Sequence, residues 1–433
     1  MSMLIRGGHL IDPAAGRDGI YDIFVKDGVV SALAEWNERK APEWEEIPDT
    51  VIEAEGKYVM PGFIDLHVHL REPGLEYKET IATGAAAAAA GGFTSVCPMP
   101  NTKPSTDSPE KIRALLEKAK QDAKIHILPV GAISIGQEGK VLADIKGMAE
   151  AGAVEFSEDG KSVMNSALYA EGLKAAAEAG VPVFAHCEDI DLVRGGVMNA
   201  GKRAEELGLP GITNAVEDII TARDIFLARE TGVRLHLCHC STKDSVKMIA
   251  MAKAEGLPVS GETGPHYFTM IDAEIPRDWG NYKMNPPLRG AEDKEALIRA
   301  LQDNVLEAIA TDHAPHSKEE KEQSMLKAPF GIVGSETAYA LTVTELVRTG
   351  KISMTQLVER MSASPAKILG INKGSLQVGM AADITIADTD TAWTIDPEKF
   401  YSKGKNTPFE GKEVYGKIYY TIADGEIAFS YCG

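Results

Sequence analysis

Residues 62–104 read GFIDLHVHLREPGLEYKETIATGAAAAAAGGFTSVCPMPNTKP. The apolar run Phe63-Ile64-Asp65-Leu66 predicts a buried strand, and a second strand signal returns at TSVCPM, 94–99. The alanine run at 85–90 between them predicts a helix packed closely on its neighbours, because larger side chains would hold it away. Strand, helix, strand is the unit of a parallel sheet. The first strand runs out into His67 and His69. Residues i and i+2 of a strand share a face, so both imidazoles project together past its C-terminal end. Two neutral imidazoles converging on one point suit zinc or a similar divalent ion. Arg71, of the same parity, adds a cation beside that point.

Outward from this stretch the unit repeats. Eight strand candidates appear: 63–68, 94–99, 124–131 (KIHILPVG), 153–158 (AVEFSE), 181–187 (VPVFAHC), 233–240 (VRLHLCHC), 258–263 (PVSGET) and 307–312 (EAIATD). Amphipathic helical segments separate them, among them PEKIRALLEKAKQDA at 109–123 and DIITARDIFLARETG at 218–232, and SETAYALTVTELVRTG supplies an eighth at 335–350. Eight such units predict an α/β fold, a closed (β/α)₈ TIM barrel spanning 59–367. Segments 1–58 and 368–433 instead carry β signals with Asp-Gly and Glu-Gly turns. Neither end has strands enough for a comfortable core. The two are expected to pair into one composite β-sandwich domain beside the barrel. Long connections at 189–214 and 316–334 follow strands five and eight and fall on the catalytic face. The first half of the second is charged and predicts a loop that is mobile without ligand, closing as a lid over it.

The 433 residues carry a net charge of −19, with 44% hydrophobic and 25% charged residues. These values suit a globular protein and argue against nucleic acid or an anionic membrane as the main partner. Cys97, Cys187, Cys238, Cys240 and Cys432 form an odd set without extracellular spacing, as expected for reduced, buried thiols in a cytoplasmic protein. The N-terminus lacks the apolar core of a signal peptide, and no run is long and apolar enough for a membrane span.

At the strand ends further ligand candidates appear: Asp159 after strand four, His186 on five, His239 on six and Asp312 on eight. With His67 and His69 they make four His and two Asp on five strand ends. These are the nitrogen and oxygen donors that two adjacent divalent ions need, with one carboxylate and one water or hydroxide bridging.

The motifs DLHVHLREPG (65–74), GGFTSVCPMPNTKP (91–104), FSEDG (156–160), AHCED (185–189), KMNPPLR (283–289), ATDHAPH (310–316) and APFGIVG (328–334) resemble those of the amidohydrolase superfamily. Within it, they resemble the bacterial type I dihydroorotases. The resemblance runs over nearly the whole chain and implies two Zn²⁺ per subunit. His67, His69 and Asp312 would hold one ion, His186 and His239 the other, and Asp159 would bridge them in place of the carboxylated lysine of hydantoinases. It assigns Arg71, Asn101, Asn285, His316, Phe330 and Gly331 to the substrate, together with His69, and makes Asp312 the catalytic base and acid. A carboxylate beside a cyclic imide needs a fixed cation and several donors, which Arg71 and the two asparagines can supply. The implied reaction is the reversible, zinc-dependent cyclisation of N-carbamoyl-L-aspartate to (S)-dihydroorotate in pyrimidine biosynthesis.

Pro265-His266-Tyr267 looks more like allantoinases, which keeps an allantoinase or dihydropyrimidinase activity as an alternative. A silent scaffold subunit for aspartate transcarbamoylase is another, although silent relatives lose ligands and all six are kept here. A homodimer and an association with aspartate transcarbamoylase are both compatible with the resemblance.

Overall fold

The computed structural model describes residues 2–36, 44 and 47–431; Cys432, counted above among the thiols, lies outside them. Eight parallel strands form the barrel: Phe63–Val68, Phe93–Pro98, a broken third strand, Glu155–Ser157, Val183–Ala185, Leu235–Leu237, Val259–Thr263 and Ala308–Ile309. The third strand, expected as one run, is two pieces. His126–Ile127 pairs with strand two and Val130–Ala132 with strand four. Pro129, which has no N–H to donate to a ladder, sits at the break and still accepts Val154 N through its carbonyl at 2.9 Å. The ring closes where Val68 bridges to His313, just past strand eight. Strands this short leave the ligand candidates at or just beyond the last paired residue, pointing out of the barrel's C-terminal end.

The helices lie where the 3.6-residue periodicity places them, including Pro109–Asp122, Ser166–Ala179, Ala215–Thr231, Lys243–Ala254 and Ala291–Gln302. The alanine-rich helix, Ile81–Ala90, is capped by Thr80 and buries Ala85, Ala87, Ala88 and Ala89. Its tight fit has a direct cause. Thr421 Oγ1, from a strand near the C-terminus, donates to Ala89 O at 2.6 Å, so the helix is wedged between barrel and terminal sheet.

That sheet is built from both ends of the chain. Its order is Glu426–Ser430, Ile418–Ala423, Ile384–Ala387, Tyr58–Pro61, Ser2–Asp12, Arg17–Lys26, Val29–Glu35, with Thr50–Glu53 on the side of Ser2–Asp12. The seam is the antiparallel pair Tyr58–Pro61 with Ile384–Ala387. Inward residues from both halves, among them Ile5, Ile23, Val59, Ile384 and Ile422, share one apolar core. Neither half could bury that surface alone, and burial of such side chains is worth roughly 1.5–3 kcal/mol each. The protein is thus a TIM barrel with a composite β-sandwich. No helix among the described residues is long and apolar enough to cross a membrane.

Candidate metal centre

The six strand-end residues come together. Asp159 lies among the imidazoles: its Oδ1 is 3.2 Å from His67 Nε2, 3.4 Å from His186 Nδ1 and 3.8 Å from His239 Nε2. Its Oδ2 is 3.6 Å from His69 Nε2. Asp312 Oδ1 closes the other side, 3.1 Å from His69 Nε2 and 3.7 Å from His67 Nε2. His186 Nδ1 and His239 Nε2 face each other at 2.9 Å. Two groups of donor atoms able to hold an ion result, His67 with Asp159 and His239, and His67 with His69 and Asp312. All six residues are buried.

Backbone geometry aims these groups. Arg71, His239 and Asp312 hold left-handed φ of 62°, 34° and 47°, a conformation that non-glycine residues keep only where their surroundings impose it. At Asp312 the cause is visible. Asp65 accepts Thr311 Oγ1 at 2.6 Å and Thr311 N at 3.0 Å, which pins the turn carrying Asp312 to strand one. Burial raises the Asp65 carboxyl to about 7 against those hydrogen bonds.

The charges require one another. Burial opposes ionisation of Asp159, yet His67 and hydrogen bonds from His186 and His239 hold it well below the ordinary carboxyl range. Asp312 sits at about 2, where burial is outweighed by the His69 hydrogen bond and the charge of His67. Burial works against a charge on His67, but Asp159 raises it to about 10. His186 also reaches about 10, as Asp159 and Glu188 overcome its burial. These carboxylates therefore draw positive charge into their midst, which divalent cations supply as well as protons do. Both ring nitrogens of His67 and Nδ1 of His239 are buried without a hydrogen-bond partner. The donor set fits a metal centre.

The two asparagines, expected to face the substrate, also make hydrogen bonds within the centre. Asn101 spends its amide on the centre itself: Oδ1 lies 3.0 Å from His69 Nδ1, and Nδ2 donates to Asp159 Oδ2 at 3.0 Å. Asn285 Nδ2 donates to Glu188 Oε1 at 3.0 Å, and Glu188 Oε2 lies 3.0 Å from His186 Nε2. Glu188 was missed in the sequence, although it follows His186 by two residues. Partners of this kind fix the tautomer and orientation of a ligating imidazole.

On one side of the centre lies a cationic wall. Arg71 is buried, donates through Nε to Pro315 O at 3.2 Å, and sets Nη2 3.3 Å from His316 Nε2. Burial lowers its guanidinium to about 10, still charged at neutral pH. His316 is held far below the ordinary imidazole range by burial and by Arg71 and Lys78, so it is neutral. Its Nε2 donates to Phe330 O at 2.8 Å and its Nδ1 accepts from Lys78 Nζ at 3.0 Å. The Phe330 ring lies against Lys283 Nζ, 4.3 Å from the ring centre. Gly331 holds φ 127°, and a Cβ there would come within 2.6 Å of Ala314 Cβ, which accounts for glycine.

The loop at 316–334 is not the uncommitted charged segment expected from its sequence. It contains a short helix, Lys318–Lys321, with a capping box between Ser317 and Glu320. Lys321 is 1% exposed, and its Nζ donates to the carbonyls of Lys283, Pro329 and Gly331 at 3.0, 3.0 and 2.7 Å. Gly331 N already donates to Lys283 O at 3.0 Å. The loop is tied to its surroundings, because the buried Lys321 finds acceptors in the backbone.

The family model described as "Dihydro-orotase-like" matches residues 56–245. A protein named dihydroorotase from Acetivibrio thermocellus is 46% identical over 426 residues, 98% of each chain. Another from Geobacter metallireducens is 46% identical over 429 residues, 99% of this chain and 100% of its own. A third, from Staphylococcus epidermidis, is 49% identical over 379 residues, 88% of this chain and 89% of its own. The chain belongs to the dihydroorotase family. Among solved structures, the L-hydantoinase (dihydropyrimidinase) of Arthrobacter aurescens superposes with a TM-score of 0.86 at 28% identity, covering 98% of this chain and 95% of its own. The D-hydantoinase of a Thermus species gives 0.84 at 26%, covering 100% and 97%. The dihydroorotase family thus shares its barrel-and-sandwich architecture with hydantoinases. In this dihydroorotase-family chain the carboxylate among the imidazoles is Asp159; Lys161, the nearest lysine in sequence, turns away and donates to Gln137 O at 3.1 Å.

Proposed function

We propose that this protein is a zinc-dependent dihydroorotase that closes N-carbamoyl-L-aspartate to (S)-dihydroorotate, and reopens it, in pyrimidine biosynthesis. The observation that carries this reading is the convergence of four His and two Asp around Asp159, beside a buried guanidinium at Arg71. Family membership narrows the chemistry to cyclic amides. Two ions would be held by His67, His69 and Asp312 and by His186 and His239, with Asp159 shared. When bound, such a pair supplies Lewis acidity and lowers the pKa of water at neutral pH.

The chain's own residues do the rest. Arg71, anchored through Nε to Pro315, presents its charge to the substrate carboxylate. Asp312, ionised and held beside His69, accepts a proton from the attacking water and returns it to the departing ring nitrogen. In cyclisation the same group runs the transfer backwards. Asn101 holds His69 and Asp159 in place, and Asn285 does so for Glu188 and through it His186. His316, neutral, lies beside Arg71 and donates to the Phe330 carbonyl, which ties this flank of the site to the loop that walls it. Four described cysteines, Cys97, Cys187, Cys238 and Cys240, are free and buried, which suits work in the cytoplasm.

The test is an assay of the zinc-loaded protein on dihydroorotate, allantoin and dihydrouracil in parallel. Turnover of dihydroorotate far above the other two is expected. Preference for allantoin or dihydrouracil would overturn the substrate assignment.

A further inference from the structure

Beneath the centre, inside the barrel, strands six and seven carry a column of polar side chains to which the reaction gives no part. Glu262 is fully buried. Its Oε1 lies 3.7 Å from His67 Nδ1 and accepts the His239 amide at 3.3 Å. Its Oε2 lies 3.2 Å from His236 Nε2. His236 Nδ1 in turn meets Ser260 Oγ at 2.8 Å, and the two residues are register partners across the strands. His67 Nδ1, Glu262 Oε2 and His236 Nε2 are buried without an aligned hydrogen bond. An unsatisfied buried polar group costs about 1–3 kcal/mol, so a row of them in a barrel core calls for a reason.

The reason lies in the ring of His67. Its Nε2 faces Asp159 and Asp312, where an ion would sit. Only Nδ1 is then left to carry the ring proton, and Glu262 is the carboxylate it faces. Two other imidazoles of the centre already have such partners, Asn101 for His69 and Glu188 for His186. We infer that Glu262, steadied by His236 and Ser260, is the positioning carboxylate of His67. It receives the Nδ1 proton in a hydrogen bond, leaves Nε2 unprotonated for the ion, and through the His239 amide couples the strand-six ligand to the same anchor. Glu262 touches no substrate, so its effect is on metal affinity.

This inference rests on the metal reading of the centre, and the experiment separates the two. Zinc dissociation constants are measured by chelator competition for the unaltered protein and for Glu262→Gln, together with melting temperatures of both metal-free forms. Loss of a partner to a ligating His weakens metal binding about 10–100-fold, so Glu262→Gln should shift the constant by that factor while the metal-free melting temperature stays put. An unchanged constant, with or without a lower melting temperature, makes Glu262 a packing residue and overturns the inference. If the unaltered protein binds no zinc, the metal reading falls as well. Should Glu262→Gln fail to fold, Ser260→Ala is decisive. Ser260 borders a cavity of about 700 Å³ at the base of the barrel, so its truncation disturbs little packing. A lost hydrogen bond of about 1 kcal/mol predicts a roughly fivefold weaker constant, and no change again overturns the inference.

Discussion

The metal centre and the loop at 316–334 adjoin on the catalytic face and satisfy buried ionisable groups by different means. In the centre, side chains from five strands answer one another, carboxylate against imidazole, within 3.1–3.8 Å. In the loop, Lys321, which burial lowers to about 7, is answered by backbone carbonyls, those of Lys283, Pro329 and Gly331. The first kind of pairing depends on which residues stand where, and the second on how the backbone turns. Substitutions in the centre should therefore act on chemistry and metal, and those in the loop on local order.

The largest effect is expected at Asp312. Asp312→Asn should fold and lose turnover by about 10²–10⁴-fold, since the proton carrier and a metal oxygen change together. Steady-state kinetics on zinc-loaded protein check this, and near-native turnover would remove Asp312 from the proton transfer. Next comes Arg71→Met, which removes a charged partner of the substrate worth roughly 1.5–3 kcal/mol. kcat/KM for dihydroorotate should fall at least about tenfold through KM, with zinc content unchanged by elemental analysis. Loss of zinc in that variant would make the cationic wall part of the metal scaffold.

On the loop side, Lys321→Met withdraws three donors at once. Hydrogen exchange across 317–334 should quicken in the free protein while zinc content and kcat hold; unchanged exchange would mean that Lys321 does not hold the loop. The smallest effect is that of ligand. The loop is already tied, so a non-hydrolysable dihydroorotate analogue should slow exchange there only slightly. A large slowing would restore the mobile lid that the charged sequence suggests.

The same contrast explains what the sequence reveals. A strand's two-residue period and its C-terminal end fix where His67, His69, His186 and His239 must point, so the centre could be assembled from motifs. Glu188 was within reach of the same argument, being two residues past His186. Glu262 was harder: a carboxylate inside a strand shows its burial only once both neighbouring strands are in place. Asn101 and Asn285 were readable as site residues but not by partner, because an amide side chain serves a ligand or another residue equally well. Lys321 could not be read at all, since its acceptors are carbonyls that every residue carries. The broken third strand had a signal in Pro129, which removes a donor from the ladder.

The central claim is that Asp159 is shared between two ions. Elemental analysis of zinc per chain, on purified protein reconstituted and freed of excess metal, tests it most directly when run beside Asp159→Ala. The account predicts two zinc ions in the unaltered protein and, because both sites lose the same carboxylate, weakened retention of both in the variant. Two ions held equally well without Asp159, or fewer than two held with it, would contradict the account.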